Sequence, residues 1–449
     1  MGNKSYVKPT LVKQLAGVMN KFGNSYYKSY KESIDGVSVS SLTEKYGSPL
    51  FVFSEKKLRN QYRTFYKTFS TNYPNVQFSW SYKTNYLGSI CNVYHQEGAI
   101  AEVVSAFEYE KARANGVKGS DIIFNGPYKG EKALEKAFAE NAIVNLDSFD
   151  EIILAEAVAK KMEKQVKVGI RLNLDAGIYP QWYKFGFNLE SGQAFEAANR
   201  IVHSKYLNLN GLHCHIGTFI LEPQAYAKQV EKMLLFMQKL EKGFQITIDY
   251  LDIGGGFPSQ SRLKGIYLPP DIVVPDIDEY AEAICSTLFK YLKPNEYPKL
   301  YLETGRALVD EAGYLITSVI AQKNLPDNTK SYFVDSGINL LYTSTWYNFN
   351  IQPDRQILGV PEQCKIFGSL CMNIDVLAES VYLPPLKNGH KLVFSPVGAY
   401  NITQWMQFIS YRPAVVMVMT NGNTELIRRA EKLEDVTGCE RIPEELSLS

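Results

Sequence analysis

The chain has 449 residues, 48 basic and 47 acidic, for a formal charge of +1. That balance, with no block of like charges, argues against nucleic acid or an anionic membrane as the main partner, and no apolar run approaches the ~18 residues of a membrane span. Six cysteines without CxxC spacing argue against a zinc site or disulfide framework and for a reduced, cytoplasmic protein.

The first ~45 residues lack a signal-peptide core and carry Tyr6 where a myristoylation signal wants Ser or Thr. Strand-like runs then follow in order: Leu50–Phe53, Gln77–Tyr82, Ala99–Val104, Asp121–Phe124, Ala142–Leu146, Val166–Leu172, Leu209–Ile216, Ile246–Ile253 and Lys299–Glu303. Amphipathic helical patterns such as Glu131–Glu140, Ser148–Lys161 and Pro223–Glu241 lie between them. Alternation of this kind predicts right-handed βαβ units and a parallel sheet. Eight strand–helix pairs, with Leu50–Phe53 left as an extra strand, fit an α/β fold of the (β/α)8 TIM-barrel type over residues 46–305.

Beyond Arg306 the texture changes. Short runs beginning at Gly313, Ser331, Lys391 and Ala414 are separated by Gly, Pro and Asn turns. They predict a C-terminal, mostly antiparallel β domain, sandwich-like or Greek-key-like, built from residues 306–449 with residues 1–45 packed on it.

Four motifs sit where barrel strands end, on the face where barrel active sites assemble. They are Lys83 in Ser-Tyr-Lys-Thr-Asn, His213-Cys-His215-Ile-Gly-Thr218, Asp252-Ile-Gly254-Gly255-Gly256, and Glu303-Thr-Gly-Arg306. Each has a plainer reading. A lysine after a strand is usually a solvated loop residue, but Lys83 lies among Trp80, Tyr82, Tyr86 and Leu87, surroundings that favour a neutral, nucleophilic amine. His213 reads as structural. Alternation puts His213 and His215 on one face, so a metal pair is an option, yet no third ligand stands at suggestive spacing and no metal is expected. A glycine triplet can be a mere turn, but after an apolar strand its N–H groups form a phosphate nest. Glu303 can be an ordinary ion-pair partner; beside Arg306 it supplies a buried acid next to a phosphate-seeking guanidinium. Together, a lysine, a stacking imidazole, a phosphate nest and an acid–arginine pair are what pyridoxal 5'-phosphate requires.

With Gly368-Ser-Leu-Cys371, Gly398-Ala-Tyr400-Asn and Leu426-Ile-Arg-Arg-Ala-Glu, these motifs resemble the fold-type III pyridoxal-phosphate decarboxylases that include diaminopimelate and eukaryotic ornithine decarboxylases. The likeness runs from about residue 46 to 435. It implies an alanine-racemase-like barrel plus a β domain, and a homodimer with active sites at the interface. Lys83 would hold the aldehyde and His215 would stack on the ring. Thr218, Gly254, Gly255, Gly256, Arg306 and Tyr400 would line the cofactor site, and Glu303 would pair with the ring nitrogen. Cys371 would reach into the partner's pocket as the acid that reprotonates Cα, with Met372 and Asp375 nearby and Tyr347 and Tyr400 also on the substrate. Glu303, where racemases of this fold carry an arginine, favours decarboxylation over racemisation; a non-catalytic regulatory homologue would have lost Lys83 or Cys371.

The resemblance departs at the substrate's far end. Thr343 stands where diaminopimelate decarboxylases carry an arginine, Met372 where they carry glutamate, and Asn348 where ornithine enzymes carry aspartate. The expected substrate is therefore an amino acid with a less charged tail than meso-diaminopimelate, such as a secondary-metabolite precursor or one tethered to a carrier protein. Arg355 is a candidate to take over the missing arginine's place.

Overall fold

The computed structural model describes residues 30–448. Eight parallel strands close into a barrel: Val76–Ser81, Ile100–Val103, Ile122–Phe124, Ile143–Leu146, Val166–Asn173, Leu207–Cys214, Tyr250–Asp252 and Lys299–Thr304. The last pairs in parallel with the first, setting Glu303 opposite Ser79 and Thr304 opposite Trp80. The expected α/β barrel is thus present, joined to a second, mostly antiparallel sheet. Because helices cover the outside and side chains fill the inside, these strands are buried on both faces, and near-continuous apolar runs encode them.

Serines that follow strands start several of the helices. Ser54, Ser105 and Ser148 accept the N–H groups of Lys57, Glu108 and Glu151, capping Glu55–Asn72, Ala106–Ala114 and Phe149–Lys161. Inside the barrel, the Tyr250 phenol occupies space that only glycine leaves free. A Cβ on Gly211 would lie 1.9 Å from the Tyr250 ring, and one on Gly169 would lie 2.3 Å from its hydroxyl.

The second sheet runs in the order Val376–Leu383, Glu362–Phe367, Lys330–Val334, Gly313–Asn324, Leu50–Ser54, Ala414–Val418, Thr424–Arg428. Lys391–Ser395 also pairs with Gly313–Asn324, which changes partners along its length past a bulge near Val319. Pairing is antiparallel except where Ala414–Val418 meets Leu50–Ser54 and Lys330–Val334 meets Glu362–Phe367.

Leu50–Ser54 corrects the expected barrel start at residue 46. This strand belongs to the second sheet, between Gly313–Asn324 and Ala414–Val418. All five of its residues are buried, so no polar face in the sequence marked which sheet it joins. Each of its large apolar side chains contributes about 1.5–3 kcal/mol by leaving water. Ahead of it, Asp35 and Gly36, both at positive φ, turn a two-residue hairpin between Ser33–Ile34 and Val37–Ser38. Ile34, Val39 and Leu42 pack on the same sheet against Val52, Ile316 and Val416. The rest of the expected N-terminal packing segment, residues 1–29, lies outside the described residues.

Candidate active site

The carboxyl ends of the barrel strands open into one cavity of about 810 Å³. Lys83 enters from the turn after Val76–Ser81, Glu102 from Ile100–Val103, Arg171 from Val166–Asn173, His213 from Leu207–Cys214 and Glu303 from Lys299–Thr304. Tyr347 and Tyr400 close the cavity from the β domain. The barrel loop carrying Arg262–Leu263 pairs antiparallel with Tyr347–Asn348, and the Lys264 N–H donates to Trp346 O at 2.8 Å. This strap ties the two halves together across the outer wall.

Lys83 Nζ lies 2.6 Å from Glu102 Oε2. Burial lowers its pKa, but Glu102, Glu303 and Tyr400 outweigh burial and leave it above that of a free lysine. The unliganded amine is therefore an ammonium, which corrects the neutral amine expected from its apolar sequence neighbours: the deciding charges come from other strands. His215 behaves in the opposite way. Burial drives its pKa down to about 3 despite the pull of Glu303, so the ring is neutral, and it stacks on Trp182 with centroids 5.5 Å apart. A neutral, flat imidazole suits a second aromatic ring laid against it.

Glu303 is the best-partnered acid in the cavity. Its Oε1 receives the Asn125 amide at 2.6 Å and lies 3.0 Å from His213 Nε2. Burial opposes its charge, yet His213, Lys83 and His215 hold its pKa well below the ordinary range. Asp252 next to it is pushed well above the ordinary range, by burial and then by Glu303, and so keeps its proton. His213, Asp252 and Glu303 offer ligand atoms within 4.8 Å of one another. Tertiary folding thus supplies the acids near His213 that sequence spacing did not reveal, although a metal there would have to displace the proton that burial keeps on Asp252.

At the other end stands an anion cradle. Gly254 and Gly256 have φ of +71° and +95°, and a Cβ on Gly255 would lie 2.3 Å from the Glu303 carbonyl oxygen. The Gly254 N–H donates to Asp252 Oδ1, whereas those of Gly255 and Gly256 meet no acceptor among the described residues. The Arg306 guanidinium lies 4.7 Å from the Tyr347 ring centre and 4.9 Å from that of Tyr400. Its Nε is buried without a hydrogen-bond partner. Free backbone N–H groups beside a guanidinium that keeps its Nε unpartnered, while Nη1 lies 3.6 Å from Asp310 Oδ2, fit a phosphate. The amine, flat neutral ring, ionised acid and anion cradle, gathered in one cavity, fit pyridoxal phosphate as a whole.

Of the expected site residues, Lys83, His215, Thr218, Gly255, Gly256, Glu303, Arg306, Tyr347 and Tyr400 line this cavity, with Gly254 directly behind His215. Cys371, Met372 and Asp375 do not. Cys371 is exposed. The Asp375 carboxylate is buried and accepts the Ile338 and Leu370 N–H groups, each at 2.8 Å, which braces the loop that carries Cys371. Sequence reasoning missed Glu102, Asn125, Arg171 and Trp182. A lone acid inside the apolar Ile-Ala-Glu-Val run was the available signal for Glu102.

A family model described as the pyridoxal-binding domain of pyridoxal-dependent decarboxylases matches residues 56–310. Diaminopimelate decarboxylase of Methanocaldococcus jannaschii is 30% identical over 431 residues, covering 92% of this chain and 95% of that protein. The Aquifex aeolicus enzyme of the same name is 30% identical over 426 residues, covering 91% and 96%. The crystal structure of the M. jannaschii enzyme in complex with L-lysine superposes with a TM-score of 0.85 at 28% identity, covering 92% of this chain and 97% of that one.

Proposed function

Since the chain belongs to the pyridoxal-dependent decarboxylases, a family of PLP-dependent amino-acid decarboxylases, we propose that it acts in the manner of diaminopimelate decarboxylase on an amino acid other than meso-diaminopimelate. The observation that carries the chemistry is Glu303, an ionised acid held in the same cavity as Lys83 and the Gly255–Arg306 cradle. Bound there, pyridoxal phosphate supplies an aldehyde and an electron-withdrawing ring that accepts the electron pair released when CO2 leaves. Lys83 holds the aldehyde, with Glu102 as its counter-ion. Gly254, Gly255, Gly256, Thr218, Arg306 and Tyr400 would hold the phosphate, and neutral His215 would stack on the ring. Glu303 keeps a proton on the ring nitrogen, which favours loss of CO2 over the racemase alternative.

Cα must then receive a proton, and Cys371 is our candidate acid. It lies outside its own chain's cavity, so the assignment requires a second copy that brings it into the site, a homodimer with shared active sites. Among the described residues, no helix is long and apolar enough to cross a membrane; we place the enzyme in the cytoplasm.

The substrate reading rests on the outer wall. Thr343 is buried and hydrogen-bonded to Asn401. Asn348 pairs with Arg262 through its backbone, and neither it nor the exposed Arg355 lines the cavity. Trp182, Phe185, Leu263, Trp346 and Gln404 face the space instead, with Lys184 and Lys264 at its edge. Among the described residues, the only acids in the lining are Glu102 and Glu303, both at the cofactor end. A distal ammonium would leave water for a wall without a counter-charge, a loss that sets specificity by several kcal/mol. The substrate we infer has a less charged tail, free or tethered to a carrier protein. CO2 release from meso-diaminopimelate against a panel of amino acids tests this. Turnover of meso-diaminopimelate in the ordinary enzyme range of ~1–10³ per second would defeat the altered-substrate reading.

A further inference from the structure

Glu102 and Glu303, on strands far apart in sequence, meet at one amide. Asn125, at the end of Ile122–Phe124 and 2% exposed, donates through Nδ2 to Glu303 Oε1 at 2.6 Å and to Glu102 Oε1 at 3.2 Å. Its Oδ1 accepts the Asn145 amide at 2.9 Å, and Asn145 Oδ1 accepts the Tyr250 hydroxyl at 2.7 Å. Ionised carboxylates only accept hydrogen bonds, so the Asn125 NH2 must face them. The Asn145 and Tyr250 partners behind it agree with that orientation. Tyr250 is itself locked between Gly169 and Gly211. A chain of three side chains through the barrel core therefore ends on the two acids of the site.

We propose that Asn125 is a positioning residue that makes the lysine's counter-ion and the ring-nitrogen acid one hydrogen-bonded unit, using both of its N–H bonds to hold the two carboxylates apart and each aimed at its own partner. This inference rests on the proposed roles of Lys83 and Glu303. Without the shared donor, two buried carboxylates would compete for one proton, and whichever took it would cease to serve as counter-ion. Lys83, Glu108, His213, Asp252, His215, Arg171 and Tyr400 are other titratable or charged groups around this pair. None of them donates a hydrogen bond to both acids.

The test is Asn125→Asp in the holoenzyme, which keeps the shape and replaces the donor with an acceptor. Expected is a loss of about tenfold or more in kcat at pH 8, recovering toward pH 6 as the new carboxyl regains a proton, with KM little changed. The absorbance of the Lys83-bound cofactor should titrate at a pH shifted by about one unit or more. Weaker cofactor binding by the apoprotein gives a readout independent of turnover. If that variant yields no holoenzyme, Asn145→Ala, which frees the Asn125 amide to rotate, should give the same titration shift in smaller measure. A wild-type pH profile and titration in either variant, even with uniformly lower activity, reduces Asn125 to packing and overturns the proposal. Absence of a Lys83-dependent band in the unsubstituted protein would sink the cofactor assignment instead, and this inference with it.

Discussion

Glu303→Gln tests the chemistry at its centre. The side chain keeps its shape, and an amide oxygen can still accept from Asn125, now 2.6 Å away. What disappears is the charge that keeps a proton on the ring nitrogen. Exchanging a charge-assisted contact for a neutral one costs about 1–1.5 kcal/mol, or roughly 5- to 13-fold in kcat at 1.36 kcal/mol per decade. Asp252 offsets part of this, because removing Glu303's charge eases its ionisation, although burial, the larger cause of its raised pKa, remains. The assay is CO2 release at saturating substrate, with KM followed in parallel. An interaction that matters only in the transition state lowers kcat and leaves KM nearly constant. A variant within threefold of wild type in kcat would remove Glu303 from the ring nitrogen.

Lys83→Ala should abolish the absorbance near 420 nm, a rough value for lysine-bound pyridoxal phosphate; a retained band would exclude this lysine. Mixing Lys83→Ala with Cys371→Ala subunits should restore about a quarter of wild-type activity, since half the dimers are mixed and each mixed dimer has one intact site. No recovery after verified subunit exchange would place the cysteine outside the partner's site. Burial raises the Glu108 carboxyl to about 7, against the pull of the Val104 N–H. The folded chain therefore holds more protons than the unfolded one between about pH 4.5 and 7, and stability falls across that window by up to about 3 kcal/mol. Glu108→Gln should flatten this decline in Tm between pH 5 and 8; an unchanged slope would show that the carboxyl ionises normally.

The eight barrel strands were legible because each is an apolar run buried on both faces, and the serines and prolines between them mark helix starts. The motifs at strand ends were legible for a related reason: a barrel gathers such ends on one face whatever the details of packing. Leu50–Ser54 was not assignable, since a fully buried strand carries no polar face to say which sheet it joins. Nor could the state of Lys83 be read from Trp80 and Tyr82, because its charge is decided by Glu102 and Glu303 from other strands. Nothing in Ile-Ile-Phe-Asn singled out Asn125; only the closure of the barrel sets its amide between two acids. Local pattern determined the elements and the order of the motifs. Through-space electrostatics and hydrogen bonding, which depend on strand register and closure, decided which of those groups are ionised and which of them meet.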